Sequence, residues 1–196
     1  MNLPIVAYGS PILRKVCVDI ENDYPQFDLL LANMWETMYN SNGVGLAAPQ
    51  INAPIRLFMI DSEQIFANKE EDEELDYPDA PGHKGVFINA KIVELKGKEW
   101  VYNEGCLSIP KIREDVYRHE EVTLEYLDET FTQHTKTFNG ITARIILHEY
   151  DHIEGILFTD HLSMLKKKLV GKKLQNIMEG KAKPDYRMKF ANLKIK

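Results

Sequence analysis

Cysteine is nearly absent from this chain: two in 196 residues, Cys17 and Cys106, far apart. A disulfide framework is therefore not expected to hold the fold. Also missing is any apolar run near the roughly 18 residues that a membrane span requires. The start, Met-Asn-Leu-Pro-Ile-Val, has neither the basic stretch nor the apolar core of a secretory signal, and it is not Arg- and Ser-rich like a transit peptide. These absences predict a cytoplasmic protein with no membrane partner. Positive charge is not in excess either. A formal net charge of −6 argues against a general or sequence-specific nucleic-acid binder. Nor is there a phosphate or dinucleotide loop: Gly43-Val44-Gly45-Leu46-Ala47-Ala48-Pro49-Gln50 has the wrong glycine spacing and no closing Lys-Ser/Thr.

What is present reads as a globular chain, 44% hydrophobic and 28% charged. The length predicts one domain over residues 1–196, with a basic, poorly patterned tail from 180 to 196. Residues 1–24 read as extended and irregular. Phe27, Leu30, Leu31, Met34 and Met38 recur at helical spacing, predicting a helix over about 25–39 that ends in Asn40-Ser41-Asn42-Gly43. Strands are expected at 55–60, 86–88 and 92–95. Val122 to Leu127 alternates, and 135–138 could return antiparallel to it. Residues 62–84, with the acidic run Glu70-Glu71-Asp72-Glu73-Glu74 and Pro78, read as a solvated surface insertion. A final helix over 162–178 carries apolar Leu165, Leu169, Val170, Leu174 and Ile177. Lys166, Lys167, Lys168, Lys172 and Lys173 fill its other side. Strands first and helices later predict an α+β domain of mixed, mainly antiparallel strands around a central helix, with a C-terminal helix.

That central helix is expected from near Ile141 to Gly155, and it carries the chemistry. Ile145-Ile146-Leu147-His148-Glu149-Tyr150-Asp151-His152 is an apolar run ending in His-Glu-x-x-His. Residues four apart share a helix face, so two imidazoles can grip one metal ion. Glu149 lies about 100° round the helix, within reach of a water at that ion. A catalytic site normally needs a third protein ligand. Downstream stand Glu154 and His161; Gly155 suits the longer metzincin pattern, but Phe158 occupies its ligand position. Upstream, Glu104-Gly105-Cys106-Leu107-Ser108 reads as a turn off Val101-Tyr102. A Cys106 thiolate with two neutral imidazoles would complete a Cys/His2 site.

Three segments, Gly43 to Gln50, Glu104 to Ser108 and His148 to His152, resemble in order the signature motifs of peptide deformylases. The resemblance implies the mixed α+β deformylase fold and removal of the N-formyl group from formyl-methionine on nascent polypeptides. It implies Fe2+ as the cofactor, with Zn2+, Ni2+ or Co2+ able to substitute. Cys106, His148 and His152 would be the metal ligands and Glu149 the general base and then acid. The Gln50 amide and the Leu107 N–H would hold the reacting oxygen. Gly43, Val44 and Gly45 would bind the peptide as an added strand, with Ile141 and Ile145 lining the methionine pocket. Glu104 and Arg113 would stand beside the substrate.

The chain departs from the family pattern in three places. Leu147 stands where a glutamine often precedes the first metal histidine, and the acidic insertion is longer than in the shortest members. Arg144, one turn before His148, is expected to reach outward or to meet the substrate backbone. The competing functions are a His-Glu-x-x-His protease, with no need of Cys106, and a binding module with a structural metal. For the lysine face of the last helix two readings stand: a solvated surface, or a dock on ribosomal RNA near the exit tunnel.

Overall fold

The computed structural model describes residues 1–67 and 79–191. The acidic run Glu70 to Glu74 and Pro78 lie outside the described residues. In chain order the elements are β1 (Ile5–Val6), α1 (Phe27–Asn40), β2 (Gly45–Ala47), β3 (Leu57–Asp61), α2 (Glu63–Ala67), β4 (Lys84–Cys106), β5 (Ile109–Leu127), β6 (Gln133–Asn139), α3 (Gly140–Ile153), α4 (Met164–Met178) and β7 (Met188–Lys189). Strands β2 to β6 form one antiparallel sheet in sequence order, and β1 pairs in parallel with β7. The class is α+β, as expected.

Strand β3 shows how the layers arise. All of its residues are buried, and successive side chains of a strand point to opposite faces. Phe58 and Ile60 join Ile141, Ile145 and Ile146 of α3 in one apolar cluster. Leu57 and Met59 join Leu31, Met34 and Met38 of α1 in another. The sheet is thus sandwiched between the metal-motif helix and the first helix.

The expected short strands at 86–88, 92–95 and 122–127 are parts of one long hairpin, β4 and β5, of 23 and 19 residues. Its middle is solvated, so the apolar alternation that marks a strand fades there. Register shifts between Ile88 and Lys91, Ile92 and Glu94, and Lys96 and Glu99 break the ladder; such bulges bend and twist a ribbon locally. Glu104, Gly105 and Cys106 are the last residues of β4, not part of a turn. Only Leu107 and Ser108 reverse the chain.

Helix α3 is fastened at both ends. The Asp79 carboxylate accepts from the backbone N–H of Thr142 at 2.8 Å and of Ile141 at 3.3 Å, placing a charge where helix N–H groups lack partners. Ser62 and Thr142 share a hydroxyl hydrogen bond of 2.7 Å. Both ends of the 62–84 segment therefore contact the helix, unlike a freely solvated insertion. At the other end Gly155 takes φ +72, and a Cβ there would meet the Arg14 backbone at 2.8 Å.

Helix α4 corrects the expected apolar face. Val170, Leu174 and Ile177 are buried against Ile109, Ile112, Val116 and Phe158, whereas Leu165 and Leu169 are each 69% exposed. By the helical period these two lie about 100–140° round from the buried stripe. The tail corrects another expectation: Met188 and Lys189 pair with Ile5 and Val6. Ile5 N–H donates to Arg187 O at 2.9 Å, and Ala7 N–H to Lys189 O at 2.9 Å. No helix of the described residues is long and apolar enough to cross a membrane.

Candidate active site

Every residue of α3 from Gly140 to Glu149 is buried, so the motif histidines face protein and a cleft rather than bulk water. The rings of His148 and His152 lie 5.2 Å apart. The end of β4 brings Cys106 to them, its Sγ 3.2 Å from His152 Nε2. One ligand atom from each of the three lies within 4.8 Å of the others. Tetrahedral coordination at ordinary metal–sulfur and metal–nitrogen lengths spaces such donors by about 3.5 Å. The trio therefore fits a divalent ion. The downstream alternatives are engaged elsewhere: His161 Nε2 pairs with Asp151 at 2.7 Å, and Glu154 with Arg56 at 2.8 Å.

The surroundings strengthen the fit. His148 Nδ1 bonds Glu104 Oε2 at 2.9 Å, which leaves its other nitrogen for an ion, a common carboxylate–histidine–metal arrangement. Burial, then neighbouring His148, holds His152 well below the usual imidazole range; the neutral ring is the form that ligates. For His148 burial works against the charged form, yet hydrogen bonds to Cys106 and Glu104 raise it well above that range.

Glu104 was expected beside the substrate. It lines the cleft, but its carboxylate also accepts from Arg118 Nε at 2.7 Å and from Arg144 Nη1 at 3.0 Å. Burial would raise this carboxyl, and the bonds from His148 and Arg118 hold it far below the carboxylate range instead. Arg144 does not reach outward, although it too lines the cleft. It is 2% exposed and also donates to Val116 O at 3.1 Å and Trp100 O at 2.6 Å. Arg118, which the sequence reading passed over, joins Glu104 to Asp151 at 2.7 Å. Its place on β5 could have been found, because Ile112, Val116 and Arg118 share the inward alternation of the strand.

Beside the trio lies a cleft of about 510 Å3. Gln50, 1% exposed, accepts the Ala47 N–H at 2.8 Å and turns its amide nitrogen to Cys106 Sγ at 3.6 Å and Ser108 Oγ at 3.3 Å. Glu149 reaches the cleft from α3, and its buried Oε2 has no hydrogen-bond partner among the described residues. Burial pushes its carboxyl up to about 7, the range suited to taking and returning a proton near neutrality. Ile141, Ile145 and Arg113 line the cleft, and Arg113 donates to Asn103 Oδ1 at 3.0 Å. Gly43, Val44, Gly45 and Leu107 line it as well. Gly43 and Val44 lead into β2, an edge strand of the sheet that begins at Gly45. Pro184, Asp185 and Tyr186 of the tail complete the lining; the sequence carried no signal for them.

A family model described as polypeptide deformylase matches residues 2–168. The peptide deformylase of Flavobacterium psychrophilum is 55% identical over 97% of this chain and 97% of its own length. That of Flavobacterium johnsoniae is 57% identical over 99% of this chain and 98% of its own. Among solved structures, a peptide deformylase from Legionella pneumophila superposes with a TM-score of 0.77 at 34% identity, covering 93% of this chain and 99% of that one.

Proposed function

The chain belongs to the polypeptide deformylase family, hydrolases acting on N-formyl-methionine peptides, and from that premise we propose a metal-dependent mechanism centred on Cys106, His148 and His152. The observation that carries it is the convergence of these three donors with the Gln50 amide and with a Glu149 carboxylate whose Oε2 has no partner among the described residues. These three residues would hold the ion, Fe2+ by the family resemblance with Zn2+, Ni2+ or Co2+ as substitutes. When bound, a divalent ion supplies Lewis acidity toward the formyl oxygen and makes water more acidic.

The remaining work belongs to the chain's own residues. Glu149 takes the proton of the attacking water and returns it to the leaving amine, releasing formate. Gln50 and the Leu107 N–H donate to the oxygen on which negative charge develops, which is where such hydrolysis gains most. Ile141 and Ile145 receive the methionine side chain. The peptide beyond it adds as a strand along Gly43, Val44 and Gly45, with Arg113 beside it. Nascent chains in the cytoplasm are the substrates of this reading, and the lysine face of α4 would dock on ribosomal RNA near the exit tunnel. Formate release from a formyl-Met peptide, measured beside casein proteolysis, tests the proposal. Release without proteolysis supports it; proteolysis without release replaces it with the protease reading.

A further inference from the structure

We propose that Tyr186, in the C-terminal segment beyond α4, is a positioning residue for the reaction, because its hydroxyl holds the turn that carries Cys106 and the Leu107 N–H. The inference rests on the deformylase reading and adds to it a residue outside the stretch that the family model matches, which ends at 168.

The Tyr186 hydroxyl donates to the Leu107 carbonyl oxygen at 2.7 Å. Its ring is partly buried in the same apolar cluster as the Leu107 side chain. The turn it touches is short: β4 ends at Cys106 and β5 begins at Ile109, with a register shift between Gly105 and Cys106. A two-residue reversal next to a shift has few ladder bonds of its own to hold it. It is held from outside instead. Ser108 O accepts the Tyr8 N–H at 2.8 Å, and Ser108 Oγ accepts from Gln50 at 3.3 Å. Leu107 O accepts from Tyr186.

These outside contacts have a common origin. Tyr8 follows β1, and Tyr186 precedes β7, and the two strands pair with Ile5 opposite Met188. Docking of the tail onto β1 therefore delivers a phenol to the turn. Leu107 joins two parts of the proposed machinery: the peptide to its N-terminal side links the Cys106 thiolate to the oxygen-binding N–H, and its carbonyl is the atom Tyr186 holds. Rotation at Leu107 would shift that N–H relative to Gln50. The Leu107 side chain is meanwhile pressed on Gly43, where a Cβ would come within 2.8 Å of its Cδ1. The strand-binding edge and the turn are thus in contact, and the hydroxyl bond limits how they slide.

Tyr186→Phe removes the hydrogen bond and keeps the ring. Kinetics on a formyl-Met peptide, thermal melting, metal content and the visible spectrum of the cobalt-loaded protein are compared with the parent. Deleting one oxyanion donor costs about 10²–10³-fold in kcat, and misplacing one costs less. The expected result is a kcat about three- to thirtyfold lower with KM within about twofold, one metal retained and melting little changed. The cobalt bands, which report on the thiolate ligand, should shift. A kcat within about twofold of the parent overturns the proposal, since a ring that only fills space would behave so. If the parent itself releases no formate, the deformylase reading fails separately and the cobalt spectra decide this point. A shifted spectrum then supports the positioning role, and superimposable spectra overturn it.

Discussion

A Cβ on Gly45 would lie 2.5 Å from Oε1 of Glu149 and 2.8 Å from its Cγ and Cδ. The glycine is needed here for space: it leaves room for the carboxylate against the edge strand. Gly45→Ala should push Glu149 out of line without touching a metal ligand. Small misplacements of a reacting group cost up to about a hundredfold. We expect metal content to stay at the parent level and kcat for formate release to fall about ten- to a hundredfold. Metal analysis beside a formate assay checks it, and an alanine variant with parental turnover would show that the carboxylate has slack.

Glu104 binds His148, Arg118 and Arg144 at once, so it couples the candidate metal centre to the stability of the fold. Glu104→Ala would leave Arg144 and Arg118 buried without their shared carboxylate, although Arg118 keeps Asp151. Breaking a buried ion pair from one side costs about 3–5 kcal/mol. Loss of the carboxylate behind a ligating imidazole weakens metal binding about 10–100-fold. Urea unfolding and chelator competition should register both losses together. A loss of stability with unchanged metal affinity would detach Glu104 from the metal centre.

The acyl group should be sorted by size. The Gln50 amide nitrogen lies 3.6 Å from Cys106 Sγ in the cleft, and a formyl carbon held between them carries only hydrogen. An acetyl group adds a methyl. Forcing a methyl into a close-packed wall costs about 1–3 kcal/mol, or about five- to 150-fold in rate. Formyl-Met peptides should accordingly surpass acetyl-Met peptides by that factor in kcat/KM. Equal values would mean that no steric gate exists.

The sequence disclosed the parts of this site that lie on one element and hid those assembled from several. His148, Glu149 and His152 are legible because one helical turn sets their relation. Cys106 lies 42 residues away on a different element; the Glu104 to Ser108 segment offered it as a third ligand, and the family resemblance assigned it. Arg118 was hidden in the polar run Tyr117-Arg118-His119-Glu120-Glu121, although the inward alternation of β5 runs through it. The hairpin's length was illegible for a related reason: its solvated middle keeps the strand but loses the apolar period. Leu165 and Leu169 misled because apolar type was read without phase. Tyr186 gave no signal at all, since its bond to Leu107 depends on the pairing of β7 with β1 at the opposite end of the chain.

Glu149→Gln tests the central claim most directly, because it preserves the shape of the cleft and every proposed ligand while removing the group that moves the proton. General acid–base catalysis contributes about 10²–10⁴-fold. Formate release from a formyl-Met peptide should therefore fall at least about a hundredfold in a variant that still binds one metal per chain. A metal-bearing Glu149→Gln protein with near-parental turnover would contradict the account.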